Sequence, residues 1–360
     1  MTNDIGQHLD QDSDTVKAIY DWHVAHREKT PRKYLGASIL GHECERFLWF
    51  TFRLCCEETF EGRMLRLFET GQLEEARFVR ELRGIGCEVH EVNEDGEQFG
   101  LSTMCGHVRG HIDGVAKGIP EAPETWHLVE MKTHNSKSFA KLKKDGNLDS
   151  KPMHTAQCQI YMLGMKLKRA LYMARDKNTD ELWTTRLKVD GPANLKLAEK
   201  AKRIVEASQP PPRLSNKCDD FRCRFCCAKE LCFGTADVCL PLAYHSCRSC
   251  CHATPVMEGD NGDWKCEKYD CPIGEQGRLK GCADHLIIPG IIADVEVDTG
   301  GEDCIVFQAP GNTFFTCRNS SDAWTTAELM KTSREVVFSS AANEAKAIVG
   351  GKVVQEIKPK

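Results

Sequence analysis

No stretch of about 18 consecutive apolar residues occurs in this chain, which excludes an ordinary membrane-spanning helix. The first segment, MTNDIGQHLDQDSD, is polar and acidic, where a secretory signal would be basic and then apolar. An unsecreted, cytoplasmic protein with no membrane partner is therefore expected. Positive net charge is missing too: 48 Lys and Arg stand against 53 Asp and Glu, a formal charge of -5. No overall basic field advertises nucleic acid, so any such contact has to come from local clusters of Arg and Lys. Internal repeats and low-complexity tracts are absent as well. At 360 residues, 41% hydrophobic and 28% charged, the chain can bury a full core and is long enough for two or three domains.

Cysteine, by contrast, is abundant. The chain has twenty, and a reducing cytosol disfavours disulfides, so clustered cysteines read first as metal ligands. Most lie between Cys218 and Cys317.

Periodicity predicts helices over residues 14–28, after Ser38, and through MLRLFETGQLEEARFVRELRGIG, which stops at Gly84 and Gly86 and delivers Glu74 and Glu75. Strand-like segments CEVHEV, EQFGLSTM, HVRGHIDGVA and WHLVEMKTH follow as an antiparallel meander. Helices through SKSFAKLKKDG and MHTAQCQIYMLGMKLK come next, then strands ALYMARDK and ELWTTRLKV. A helix through NLKLAEKAKRIVEASQ ends at Pro210, Pro211 and Pro212, which cannot continue it. The expected organisation is an N-terminal helix and arm (1–33), an α/β domain of the α+β kind (34–235), a Cys/His module (236–287) and a small α/β appendage (288–360).

One constellation carries chemistry. Asp113 sits in HIDGV, and sixteen residues later VEMKT supplies Glu130 and Lys132, which period two places on one strand face. Phosphodiester hydrolysis needs hard oxygen ligands for Mg²⁺ or Mn²⁺, a polarised water, and positive charge where the phosphorane develops. Asp113 and Glu130 can supply the ligands, and Lys132 can orient or activate the water. Alone, D…ExK is a common surface ion-pair pattern. Here both motifs lie in apolar strands, beside Ile112 and Val115 and among Leu128, Val129 and Met131, where carboxylates usually have a partner or a metal.

With these motifs in this order, GQLEE, GHIDGV, VEMKT and QCQIY, residues 34–235 resemble the RecB-like branch of the PD-(D/E)XK nucleases, which includes CRISPR-associated and phage exonucleases. The resemblance implies an α-β-β-β-α-β core with a central mixed sheet, and a metal-dependent deoxyribonuclease, an exonuclease, acting on DNA in recombination, replication or degradation. Asp113 and Glu130 would bind the metal with the Met131 carbonyl, and Lys132 would be the catalytic lysine. The family's G-x-x-x-H motif stands here as Gly71 to Glu75, so Glu75 would take the histidine's place. Gln157 and Tyr161 match Q-x-x-x-Y and would steady the site and contact DNA; read without the family, they are ordinary helix-surface residues.

Cys223, Cys226 and Cys232 form C-x2-C-x5-C, with Cys44 far upstream. On spacing alone such thiolates suit zinc or an iron-sulfur cluster equally. The iron-sulfur members of the branch use one cysteine before the core and three after it in this spacing, which implies a 4Fe-4S staple on these four, with Cys218 and Cys227 as spares. Arg46 and Arg53, beside Cys44, are candidates to meet phosphates. A second set, Cys247, Cys250, Cys266, Cys282 and His285, resembles a zinc-ribbon-like module, with the four cysteines as ligands and His285 as substitute. Cys251, His252 and Cys271 also lie within reach.

Two functions of different class follow. One is the nuclease, with DNA as partner, a recombination or replication protein as a further partner, and a prokaryotic or phage-infected cytoplasm as its place. The other is an inactive nucleic-acid-binding or zinc-stabilised scaffold. The intact set Asp113, Glu130 and Lys132 separates them, because a decayed relative would have lost a member.

Overall fold

The computed structural model describes residues 13–27, 30–146 and 148–349; residues 1–12 of the expected N-terminal arm and 350–360 of the expected appendage lie outside them. Helix α1 (Asp14–His26) leads to a two-residue strand β1 (Leu35–Gly36) and α2 (Glu45–Phe52). Nearly every residue of α2 is buried, including Arg46, Phe47, Leu48, Trp49, Phe50 and Phe52, as expected of a helix apolar on all sides. The long α3 (Gly62–Gly84) buries Phe78, Val79 and Leu82, one stripe at helical spacing.

Strands β2 (Glu88–His90), β3 (Gly100–Thr103), β4 (Val108–His111), β5 (Gly114–Lys117) and β6 (His127–His134) follow. After α4 (Ser136–Asp145) and α5 (Pro152–Gly164) come β7 (Arg169–Asp176), β8 (Leu182–Lys188) and α6 (Gly191–Glu206). The main sheet has the order β2-β5-β6-β7-β8; β6 pairs with β7 in parallel, and the other neighbours are antiparallel. Period two sorts its faces. Val129, Met131, Leu171 and Met173 pack with Phe78, Val79 and Leu82 of α3. Leu128, Ala170, Tyr172 and Ala174 turn the other way, into the cluster that holds Cys158, Ile160, Tyr161 and Met162 of α5.

HVRGHIDGVA, expected as one strand, is two. β4 belongs to a separate three-stranded sheet, β1-β4-β3, and β5 to the main one. The chain changes sheets at Ile112 and Asp113. Gly110 permits the crossing: a Cβ there would lie 2.5 Å from the Tyr161 hydroxyl and 2.7 Å from its ring.

Beyond Pro210 to Pro212, α7 (Lys229–Phe233) precedes a small antiparallel sheet of β9 (Ala253–Pro255), β10 (Trp264–Cys266) and β11 (Cys271–Pro272), then α8 (Glu275–Leu279). The last part is a meander of β12 (Glu296–Gly300), β13 (Ile305–Ala309) and β14 (Thr313–Cys317) with α9 (Thr326–Leu329), α10 (Arg334–Val337) and α11 (Ser340–Val349). A single buried apolar cluster contains Leu35, Trp49, Phe52, Trp264, Ile287, Phe307 and Trp324. The prolines thus join parts that share a core. Among the described residues no helix is long and apolar enough to cross a membrane.

Candidate functional site

Asp113 stands just before β5, and Glu130 and Lys132 lie on the α5-facing side of β6. Where β5 begins, the Asp113 carboxylate extends the edge of the ladder by accepting a 2.8 Å hydrogen bond from the Met131 amide. Lys132 Nζ lies 3.8 Å from Asp113 Oδ2 and closer still to Glu130 Oε1, in an ion pair. Glu130 has no exposed surface, and despite that ion pair neither of its oxygens accepts a well-aligned hydrogen bond among the described residues. Burial, with Asp113 adding, pushes its carboxyl up to about 7 although Lys132 pulls the other way. Burial lowers Lys132, but Glu130, Asp113 and Glu75 outweigh it and hold the ammonium above its ordinary value.

The adjacent glutamates of α3 separate. Glu74 is buried and bonds to Arg175 at 2.7 Å. Glu75, one stripe position before Phe78 and Val79, lies within electrostatic reach of Asp113 and Lys132, and burial followed by Asp113 raises its carboxyl to about 7. Glu75 and Glu130, both raised by burial and by the neighbouring Asp113 carboxylate, together with Asp113 itself make a donor set that suits a hard divalent cation, with Glu130 Oε2 lacking a partner among the described residues. Gln157 and Tyr161 are buried on α5, which removes them from the helix surface; the Tyr161 phenol is raised by burial and then by Glu130, and it bonds to the Gln157 side chain. Sequence reasoning missed His134, His154 and Tyr172 on the same side. The row Glu130, Lys132, His134 at period two and the spacing of His154 to Gln157 were the available signals.

Arg46 and Arg53 are not phosphate-facing, contrary to expectation. Arg46 is buried and donates to the Pro211 and Gly290 carbonyls at 2.9 and 3.0 Å. Arg53, buried too, donates to the carbonyls of Arg248, Ala253 and Ala207 and lies over the Trp49 and Trp264 rings. Both guanidiniums bind distant backbone together, so neither is free to reach DNA.

Cys44 caps α2, its Sγ accepting from the Phe47 amide at 3.4 Å. Burial raises the Cys223 thiol, with Asp220, Cys44 and Cys232 adding, and burial pushes Cys226 up to about 12, with Cys44 and Cys223 contributing. Thiols from residues 44 and 223 to 232 are thus brought within electrostatic reach across nearly 190 residues of sequence, although the sulfurs of these four do not all lie within 4.8 Å of one another. Cys227 pairs with the Cys56 thiol, and Cys218 is exposed.

Cys247, Cys250, Cys266 and Cys282 line one cavity of about 20 Å³, together with His252 and His285. That is room for a single water-sized body. His285 is committed elsewhere: Nδ1 lies 3.0 Å from Thr326 Oγ1, and Nε2 lies 2.9 Å from the Ser246 carbonyl. His252, by contrast, has a buried Nε2 with no partner among the described residues, and the ligand atoms of Cys250, Cys251 and His252 lie within 4.8 Å of one another.

No family model and no curated protein matches the sequence. Among solved structures, the chain is similar to LHK-Exo, an alkaline exonuclease from Laribacter hongkongensis. The TM-score is 0.36 at 16% identity over 51% of this chain and 89% of that one; for LHK-Exo in complex with dAMP the values are 0.36 and 16% over 52% and 90%. It is also similar to SSO0001, with a TM-score of 0.32 at 16% identity over 60% of this chain and 93% of that one. Likeness at this level carries no inference about chemistry, which rests on the residues themselves.

Proposed function

We propose that this protein is a metal-dependent deoxyribonuclease, an exonuclease of the PD-(D/E)XK type, that hydrolyses DNA phosphodiester bonds. The observation that carries the reading is Glu130: a wholly buried carboxylate on the central strand of the sheet, paired through Oε1 with the Lys132 ammonium, with Oε2 lacking a partner among the described residues and Asp113 beside it. Asp113, Glu130, Glu75 and the Met131 carbonyl would hold Mg²⁺ or Mn²⁺, which when bound lowers the pKa of a water and offsets phosphate charge. Lys132 holds positive charge at the attacked phosphate, and Gln157 braces Tyr161 behind the carboxylates. The local basic cluster demanded by the net charge of -5 is present on α4, where Lys137, Lys141, Lys143 and Lys144 are all exposed. The test is cleavage of end-labelled linear, circular and single-stranded DNA with Mg²⁺ or Mn²⁺. Loss of linear but not circular substrate is expected, and unchanged cleavage by Glu130→Ala would sink the assignment.

Two structural metals belong to the same reading. Cys44, Cys223, Cys226 and Cys232 would hold a 4Fe-4S cluster, which serves as a staple because hydrolysis needs no electron. Cys247, Cys250, Cys266 and Cys282 would hold zinc, the choice supported by the size of their shared cavity, with His252 the histidine now best placed to substitute. Anaerobically purified protein is expected to be brown, with absorption near ~400 nm, and to contain roughly one zinc per chain. A colourless preparation with zinc and no iron would reassign the first set to zinc.

A further inference from the structure

A chain of hydrogen bonds runs beside the carboxylates and ends on a histidine that the nuclease reading leaves unused. Lys151 Nζ donates to Ser138 Oγ at 2.6 Å, and Ser138 Oγ lies 3.1 Å from His134 Nδ1. His134 Nε2 lies 2.9 Å from the Tyr172 hydroxyl, which in turn lies 2.7 Å from His154 Nδ1. His134 continues the β6 row of Glu130 and Lys132, and Tyr172 sits opposite Glu130 in the parallel pairing. His154 lies three residues before Gln157 on the helical face that also carries Tyr161.

Proton counting gives this chain a direction. An ammonium only donates, each hydroxyl has one proton, and a neutral imidazole has one. Burial, helped by nearby lysines, lowers His134 to about 4 and His154 to about 3, so both rings are neutral near pH 7. Burial raises the Tyr172 phenol, which keeps its proton. With Lys151 donating to Ser138, the serine proton goes to His134 Nδ1. His134 then carries its proton on Nε2 and gives that hydrogen bond to Tyr172, whose own proton points to His154 Nδ1. The proton of His154 is left on Nε2, which has no hydrogen-bond partner among the described residues. The reverse order would strand the serine proton and turn both imidazole dipoles against the Lys151 charge.

We propose that His154 is a phosphate-binding residue, fixed by this chain as its Nε2–H tautomer and presenting a neutral donor to a DNA phosphate oxygen beside Glu130 and Lys132. It rests on the nuclease reading. A neutral donor holds a phosphate oxygen without placing a second cation beside Lys132 and without drawing the carboxylates away from a metal. The test has two arms on the full-length protein. Nitrogen-15 histidine NMR, with His154 assigned by the signal lost in His154→Gln, is expected to show a single Nε2–H tautomer that moves toward tautomer averaging in Lys151→Met. An Nδ1–H ring, or a pattern indifferent to Lys151→Met, overturns the relay. Fluorescence anisotropy with a labelled oligonucleotide and no added divalent ion is expected to show binding weakened roughly tenfold in His154→Phe and largely recovered in His154→Gln, which keeps a donor. Wild-type and His154→Phe binding DNA equally would overturn the proposal and leave the nuclease reading standing. A wild-type protein that binds no DNA would overturn that reading, and the assigned ligand with it.

Discussion

Glu130 occupies a position where an uncharged side chain would cost less, and that cost is measurable. Its carboxyl sits at about 7 in the folded protein against an ordinary 4.5. Below about pH 4.5 the folded and unfolded forms are both protonated there. Between pH 4.5 and 7 the folded form binds the extra proton, so stability falls as pH rises, by on the order of 3 kcal/mol once above 7. His107, His134, His154 and His285, held neutral by burial, act in the opposite sense below pH 6.5, so the Glu130 contribution is read as a difference. From pH 5.5 to pH 8 the metal-free wild type should lose melting temperature relative to Glu130→Gln, and added Mg²⁺ should raise its melting temperature more at pH 8. Glu130→Gln should flatten that pH dependence, stabilise the metal-free protein at pH 8, and lower DNA cleavage by at least roughly a hundredfold. A melting curve with the wild-type slope in Glu130→Gln would show that another group sets it. Glu75→Gln should reduce the slope by less, because Glu75 is only half-buried and water screens it.

Among elements, the crossing from β4 to β5 decides the site, and it was the least legible feature in the sequence. Apolar alternation runs on through VRGHIDGV, so period two gives no sign that the pairing partners change at Ile112 and Asp113; partners are chosen by distant strands, which a local pattern cannot report. The stripe of α3, the strand VEMKT and the helix QCQIY were legible because each repeats its own period over several residues. Arg46 and Arg53 were misread for a related reason: charge suggests solvent, yet α2 is dominated by buried Phe47, Leu48, Trp49, Phe50 and Phe52, and carbonyls from residues 207 to 290 supply the missing partners. Gly110 offers a test at this scale. Gly110→Ala would drive a methyl into the Tyr161 ring and shift α5, at a cost of about 1–3 kcal/mol and a fall in melting temperature, with cleavage lost in proportion to the displacement of Gln157 and Tyr161. An unchanged melting temperature would mean that α5 yields without strain.

On the scale of the whole molecule, the four-part division predicted from the prolines and cysteines meets a shared interior. Trp264 of β10 is fully buried, with its ring 5.2 Å from that of Phe52, and Arg248 donates to the Phe52 and Arg32 carbonyls. Trp264→Ala should therefore cost about 3–5 kcal/mol and lower DNA cleavage through global stability, as thermal melting and activity on the same samples would show. A chain ended at residue 235 should fail to fold cooperatively, because Phe52 and Arg53 would lose the surfaces that cover them. A sharp two-state melt of that fragment would establish residues 34–235 as a self-sufficient unit.

The buried arginines Arg46, on α2, and Arg53, just after it, also bear on how the protein is made. Arg53 finds its carbonyl partners at Ala207, Arg248 and Ala253, and Arg46 finds one at Gly290. A ribosome adding 5–20 residues per second needs roughly 10–50 s to travel from α2 to Gly290. Residues up to about 240 supply much of the cover of α2, but Phe52 and the two guanidiniums lack Arg248, Ala253, Trp264 and Gly290 throughout that interval, so this face of the nascent chain stays exposed until its last third has been translated.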